Sequence, residues 1–584
     1  MRGISPTQTE QPGSLAASYR DALEWLASHN AAARIFDRDP SLWKEDAKHA
    51  AVIRNRLGWL DSPAWLQAHR DELRSFAASI RAEGFTRILL LGMGGSSLAP
   101  EVLQRSLRPG PGSPTLSVLD STDPSALRSA EAGAKLDRTF FLVSSKSGST
   151  VETRSHYRHF RASLEAASVS GAGKRFAAVT DSGSALDSLA TKEGFRVIFR
   201  NPPDIGGRYS ALSYFGMAPA ALLGLDLDAL SARAARARAS AMERDPARNP
   251  ALRLGAFLAG AAKAGRDKLT ILAPAALRPL GYWIEQLVAE STGKEGRGIV
   301  PIEGEPLGPA HHYGDDRVFV FLALAGKPDA DLDRLEADLA RGGTPCARIA
   351  LPDTEEIAGE FFRWEAATAF AGAVLGIDPF DEPNVQESKD ATQRLLEALA
   401  RDGRFPEEPP RAEADGVAIG AEESVWRRMT AGLPAHASLE FALQRFLSLA
   451  KPDDYVAVLA YLERTAESEA AFASFRRAVR NATHLPVLQG YGPRYLHSIG
   501  QLYKGGPATG LFLVLTADSA GGVDAPIPGS DHSFAQLLRA QALGDLESLA
   551  AHEKPALRLH LGRGVAAGLA AVNHAVERAV AAKV

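Results

Sequence analysis

The residue types able to do chemistry gather at a few places in this sequence. Ser144-Ser145-Lys146-Ser147-Gly148-Ser149-Thr150 follows the apolar run Phe140–Val143, so hydroxyls, one lysine and one glycine fill a turn between a buried strand and a helix opening near Thr150. Such a turn is built to hold an anion, because the first N–H groups of the helix and the positive end of its dipole point back at it. An isolated Ser-x-x-Thr usually caps a helix with nothing bound. The hydroxyl density here exceeds what a cap uses. Gly92-Met93-Gly94-Gly95-Ser96-Ser97 follows a second apolar run, Ile88–Leu91; its glycines let backbone N–H groups approach an anion closely, and Ser96 adds a hydroxyl. A dinucleotide loop is the competing reading, but the acidic residue expected roughly 20 residues on is not clearly placed, since Asp120 lies farther away. Two hydroxyl-rich loops from one sheet suit a single phosphate group.

Two further stretches carry charge. In Gly206-Gly207-Arg208-Tyr209-Ser210, paired glycines allow a sharp turn that presents Arg208, a fixed charge able to stabilise a developing oxyanion. A turn arginine on the surface is equally common, so its meaning depends on its company. That company is Gln286-Leu287-Val288-Ala289-Glu290-Ser291-Thr292-Gly293-Lys294, where Gln286 and Glu290 stand one helical turn apart on one face. A carboxylate at the end of a helix opposes the local dipole. If partly buried, its pKa rises towards the range useful for proton transfer, and beside an arginine and a phosphate Glu290 reads as a general base.

The elements that position these residues follow from the apolar rhythm. Helical spacing runs from about Leu15 to Ile80, with Trp43, Trp59 and Trp65 expected in the core. From Arg87 the runs Ile88–Leu91, Leu116–Leu119, Thr139–Val143, Phe176–Val179 and Phe195–Phe199 alternate with helix-length segments. That alternation predicts a doubly wound parallel sheet, in which ligands bind at the carboxyl ends of strands. A second α/β unit is expected from Leu269–Leu272, Val318–Leu322 and a helix over Tyr282–Gly293, and a third, smaller one from Tyr455–Leu462, Leu485–Leu488, Leu511–Leu515 and Leu557–Leu561. The proline- and acid-rich stretch 401–425 reads as a linker.

Composition limits what surrounds the site. The 584 residues are enough for three or four domains of roughly 150 residues each. A formal net charge of -4 gives no basic field for nucleic acid or an anionic membrane. The single cysteine, Cys346, excludes an internal disulfide and fits a reducing compartment. No signal peptide and no membrane-length apolar run is visible, so a cytoplasmic protein is expected.

Taken together, Gly92–Ser97, Ser145–Thr153, Gly206–Ser210, Gln286–Lys294 and Asp378-Pro379-Phe380-Asp381-Glu382-Pro383-Asn384-Val385-Gln386-Glu387-Ser388-Lys389 resemble, in order, the motifs of the glucose-6-phosphate isomerases. The resemblance implies two sugar-isomerase (SIS) domains at 81–235 and 236–400, after an N-terminal helical segment 1–80 and before the linker and a C-terminal α/β unit at 426–584. It implies reversible conversion of glucose 6-phosphate to fructose 6-phosphate in glycolysis and gluconeogenesis, with no metal or organic cofactor. Carried over residue by residue, Gly95, Ser96, Ser145, Lys146, Ser147 and Thr150 line the phosphate site, and Arg208 faces the enediol oxygens. Glu290 shuttles the proton, Gln286 contacts the sugar or its phosphate, and Lys389 assists at the ring-oxygen end. A homodimer is compatible with this reading. The alternatives are a sugar-phosphate-binding regulator without catalysis and an isomerase acting on both glucose and mannose 6-phosphates.

One role is not filled by the motifs. The family opens the sugar ring with a histidine, and the corresponding turn here, Gly342-Gly343-Thr344-Pro345, has none. His497, in Tyr495-Leu496-His497-Ser498-Ile499-Gly500, is the expected substitute, ahead of His311 and His312. That segment is similar to the isomerase half of fused transaldolase and glucose-6-phosphate isomerase polypeptides. A transaldolase barrel takes roughly 250 residues, and only about 80 precede the first sheet. No transaldolase activity is therefore expected, and three-carbon transfer from fructose 6-phosphate to erythrose 4-phosphate would contradict this.

Overall fold

The computed structural model describes residues 6–132, 135–406, 409–431, 438–519 and 522–581. The chain forms two compact units. One comprises Met1–Asp120, Ala130–Gly304 and Arg317–Glu382; the other comprises Ser121–Ser129, Glu305–Asp316 and Pro383–Val584.

The first unit holds two sheets. After β1 (Thr7–Gln11), the first sheet is built from β2 (Arg87–Gly92), β3 (Thr115–Leu119), β4 (Thr139–Ser144), β5 (Phe176–Asp181) and β6 (Val197–Asn201). These lie in the order β3-β2-β4-β5-β6, all parallel. Central strands covered on both faces must be apolar throughout, and β4 is buried at every position. The register pairs Gly92 with Ser144, so the glycine loop and the serine turn leave the sheet side by side. The second sheet takes β7 (Lys268–Leu272), β8 (Val300–Glu303), β9 (Arg317–Leu324) and β10 (Cys346–Leu351), in the order β1-β10-β9-β7-β8.

The N-terminal segment departs from the expected run of helix. Thr7–Gln11 pairs antiparallel with β10. It is polar along its length and is held by side chains: Arg253 donates to Glu10 and to the Gln8 carbonyl, and Gln8 donates to the Pro250 carbonyl. Both sheets share one apolar core. At its centre the helix Ile357–Leu375 is buried at all of its positions. The helix Pro250–Lys263 closes onto it at Gly255, where an added Cβ would stand 2.6 Å from the Ala367 carbonyl oxygen.

The second unit carries β11 (Ala412–Ala414), β12 (Val417–Ala421), β13 (Tyr455–Tyr461), β14 (Val487–Tyr491), β15 (Gly510–Thr516) and β16 (Ala556–His560), in the order β11-β12-β16-β15-β13-β14. The last four in sequence are parallel. Within the stretch expected as a linker, 412–421 form a hairpin, β11 with β12, added antiparallel to the edge of β16. Its turn, Asp415-Gly416, has both residues at positive φ, 53° and 75°, in the left-handed region that a two-residue hairpin turn requires. Arg480, fully buried, anchors the short segment Glu305–Asp316 to this unit by donating to the Pro306 carbonyl and stacking over Tyr313, 5.0 Å from its ring centre. Among the described residues no helix is long and apolar enough to cross a membrane.

Gly255→Ala is expected to lower the unfolding free energy of the first unit by about 1–3 kcal/mol despite alanine's better helix propensity, because the intruding methyl meets backbone. A denaturant titration followed by tryptophan fluorescence reads it.

Candidate active site

The site is built where the first unit's turns meet the helix Arg278–Thr292. The glycine loop ends in the short turn Gly94–Ser96, which packs against the turn Gly207–Tyr209, and the helix Arg278–Thr292 touches both. The approach is close enough to dictate residue type: a Cβ on Gly95 would stand 2.2 Å from the Gly207 carbonyl oxygen. The serine turn joins from the other side through Ser144, whose hydroxyl donates to the Ser96 carbonyl at 3.1 Å.

Within the serine turn, Ser145 accepts the Gly148 N–H at 3.1 Å and shares a 3.1 Å hydrogen bond with Thr150. Ser147 and Ser149 are exposed and lie 2.8 Å apart, oxygen to oxygen. Thr150 stands at the N-cap of the helix Val151–Ala166 without its side chain capping that helix. The first-turn N–H groups are thus not covered by the usual intramolecular acceptor. Lys146 is placed differently from its neighbours. Its ammonium donates to Asp181 at 2.5 Å and to the Pro203 carbonyl at 3.0 Å, so its charge is committed to β5.

Arg208 is buried, with 3% of its surface exposed. Its Nε donates to Ser291 at 2.8 Å, Nη1 to Glu382 at 2.9 Å, and Nη2 to the carbonyls of Pro379 and Asp381 at 2.7 and 3.0 Å. Nη1 also lies 3.8 Å from Glu290 Oε2. Burial opposes the charge, but the carboxylates of Glu290 and Glu382 outweigh it and push the guanidinium pKa further up. Glu290, 7% exposed, accepts a 3.1 Å hydrogen bond from Gln286, its neighbour one turn earlier.

Several residues beside these were not read as functional from sequence, although they fall inside the same motifs. Lys294 donates to the carbonyls of Asp378 and Asp381 at 2.7 and 2.6 Å and to the Asp381 carboxylate at 2.6 Å. Burial and then the charge of Arg208 hold its pKa below the ordinary lysine range. Asp378 is raised to about 6, by burial first and then by Asp381. The signal for this cluster was its density of charge at 378–382, which sequence could not connect to Arg208.

Arg208, Glu290, Gln286, Gly95, Ser96 and the serine turn therefore all belong to the first unit. Lys389 and His497 fall in the second. Lys389 is exposed on the helix Val385–Asp402, and His497 is half-buried on the short turn Arg494–His497. His311 and His312 stand on the turn Ala310–His312, also in the second unit; burial and the neighbouring His311 hold His312 below the usual imidazole range.

The chain is 30% identical over 395 residues to the glucose-6-phosphate isomerase of Rubrobacter xylanophilus, a match covering 58% of this chain and 91% of that protein. It belongs to the glucose-6-phosphate isomerase family. The glucose-6-phosphate isomerase of Symbiobacterium thermophilum is likewise 30% identical over 393 residues, covering 58% of this chain and 86% of that one. The family model for phosphoglucose isomerase matches residues 61–296, which contain the glycine loop, the serine turn, Arg208 and Glu290. The fold is shared with a hypothetical protein of Thermus thermophilus, with TM-score 0.56 and 23% identity over 66% of this chain and 99% of that one.

Two outcomes follow for this isomerase-family site. Gly95→Ala pushes the Gly207–Arg208 peptide off its seat, so kcat/KM should fall by about 100-fold or more, since small misplacements of a positioned charge are costly. An unchanged value would show that this approach does not set the Arg208 geometry. Asp378 has a folded pKa of about 6 against 3.8 ordinarily, so it contributes stability below its unfolded pKa that is lost as pH rises through the folded one. Asp378→Asn should therefore gain on the wild type by about 3 kcal/mol between about pH 4 and about pH 7 in denaturation midpoints measured at each pH.

Proposed function

We propose that this chain interconverts D-glucose 6-phosphate and D-fructose 6-phosphate through a cis-enediol, the step that joins the aldose and ketose phosphates of glycolysis and gluconeogenesis. The observation that carries the reading is the buried Arg208–Glu290 pair, 3.8 Å apart, in a member of this family. That separation is too long for a hydrogen bond and short enough for the two charges to act on the same few atoms.

In this reading the sugar's phosphate docks at the serine turn, with Ser145, Ser147 and Thr150 offering hydroxyls and the helix Val151–Ala166 its N-terminal N–H groups. Ser96 and the backbone at Gly95 face the same anion. Lys146 acts by charge from its seat on Asp181 or by leaving it. Binding remote from the reacting carbons fixes orientation. Glu290 takes the proton from C2 and returns it to C1, while the fixed charge of Arg208 holds the enediolate oxygens. Gln286 orients the carboxylate by its hydrogen bond. The assignments of Lys389 to the ring-oxygen end and His497 to ring opening complete the reading, and a cytoplasmic setting with a reduced Cys346 goes with it.

Glu290→Gln is nearly isosteric and keeps the hydrogen-bond partner of Gln286. It should lower kcat by about 10²- to 10⁴-fold in a coupled assay of fructose 6-phosphate, with sugar-phosphate binding retained. A wild type that binds the sugar phosphate but turns over neither glucose nor mannose 6-phosphate would favour a regulator instead.

A further inference from the structure

The second unit contains a cavity of about 930 Å³, within the size range of roughly 300–1,000 Å³ usual for small-molecule sites. It opens at the carboxyl ends of β13, β15 and β16, lined by Leu462 and Glu463 directly after β13, Ala517 and Asp518 directly after β15, and Arg563 and Gly564 in the turn that follows β16. The chain runs from β13 to β14 on one side and continues to β15 on the other. The strand order thus reverses beside β13, and in open α/β sheets a crevice of this kind is where ligands bind.

The turn after β16 reads Gly562-Arg563-Gly564-Val565-Ala566-Ala567-Gly568 and opens the helix Val565–Ala581. Two of its three glycines are explained by the protein itself. Gly562 stands at φ +59°, as a sharp turn requires, and a Cβ on Gly568 would come within 2.8 Å of the Leu561 side chain, so its absence lets the helix close onto β16. Gly564 has neither reason: its φ is ordinary and the nearest atom to an added Cβ is 3.8 Å away. In a glycine-rich strand-to-helix turn, the middle glycine is the one that keeps side-chain atoms out of the way of a phosphate approaching the backbone.

Charges of both signs line the cavity, Arg404, Glu467 and Asp518 among them; Asp518 donates its backbone N–H to the Gly562 carbonyl at 3.0 Å and pairs with His560 at 3.4 Å. Arg558 and Arg563 belong to β16 and its turn, and Arg539 to the helix Phe534–Ala551. Arg563 is exposed and forms no ion pair among the described residues. Arg558 is already positioned, donating to Thr516 at 3.2 Å. The carboxylates Asp123 and Glu463 lie at the β13 end; Glu463 accepts a 2.6 Å hydrogen bond from Ser129, and burial, reinforced by the charge of Glu463, raises the pKa of Asp123. With β15 between β13 and β16, the two ends stand about 10 Å apart at the usual strand spacing.

We propose that this cavity is a second ligand site, separate from the isomerase centre, for a phosphorylated sugar or nucleotide whose phosphate sits on the Gly562–Val565 turn against Arg563 and whose hydroxyls face Asp123 and Glu463. The family match covers residues 61–296; of the cavity's lining only Asp123 and Ser125 fall within it, and the sheet that carries the cavity, from Ala412 on, lies beyond it. Its occupant is bound and unreacted.

Isothermal titration of the full chain with ADP, and separately with fructose 1,6-bisphosphate, tests this. The expected result is one ADP per chain, or a second fructose 1,6-bisphosphate per chain beyond that in the isomerase site. Arg563→Glu and Gly564→Val should each weaken that event by at least about tenfold and leave the rate of glucose 6-phosphate isomerisation unchanged. Arg563→Glu, at an exposed position, keeps the test intact should Gly564→Val misfold. ADP alone binding assigns the site to nucleotides, and the bisphosphate alone assigns it to sugar phosphates. No event beyond the isomerase site for either probe, or an event that Arg563→Glu leaves unaltered, overturns the proposal.

Discussion

A buried guanidinium constrains the first unit more than any other single group. Arg208 cannot lose its charge, and leaving it without partners in a dry interior would cost several kcal/mol. Its acceptors come from separate stretches: Ser291 from the helix Arg278–Thr292, the Pro379 and Asp381 carbonyls, and Glu382 beyond the central helix. The turn after the first sheet is therefore satisfied only when the second sheet's elements are in place around it. The same requirement brings Glu290 to 3.8 Å, so the assembly of the core and the assembly of the candidate catalytic pair are one event.

Around that centre two cations meet four carboxyl groups, and these groups displace one another's pKa values. Arg208 and Lys294 face Glu290, Asp378, Asp381 and Glu382, and the proximity of the two cations helps depress Lys294 while the proximity of Asp381 helps raise Asp378. Such opposite displacements in one cluster are characteristic of functional sites. The serine turn is organised on another basis, by neutral hydroxyls and backbone at the end of β4.

What the sequence disclosed tracks how much each element depends on distant residues. The five strands of the first sheet were legible because parallel strands buried on both faces are plain apolar runs. Thr7–Gln11 was not, since Arg253 and Pro250, some 240 positions away in the chain, supply what its own residues lack. The hairpin at 412–421 carried its signal openly in Asp415-Gly416, and the acidic, proline-rich surroundings obscured it. The site motifs were readable as motifs, and the pairing of Arg208 with Glu290 followed from their chemistry. The seat of Lys146 on Asp181 and the role of Ser291 depend on tertiary contacts that no spacing encodes. In the third sheet, Gly562-Arg563-Gly564 went unread because its meaning needs the cavity beside it.

The central claim is that Glu290 carries a proton between adjacent carbons while Arg208 holds the enediolate. Isomerisation of glucose 6-phosphate in heavy water, followed by NMR of the product, tests it most directly. Deuterium at C1 of the fructose 6-phosphate formed is the predicted result, since a carboxyl proton exchanges with solvent between the two transfers. Complete retention of the original hydrogen through many turnovers would mean direct transfer between the carbons, and would contradict the account.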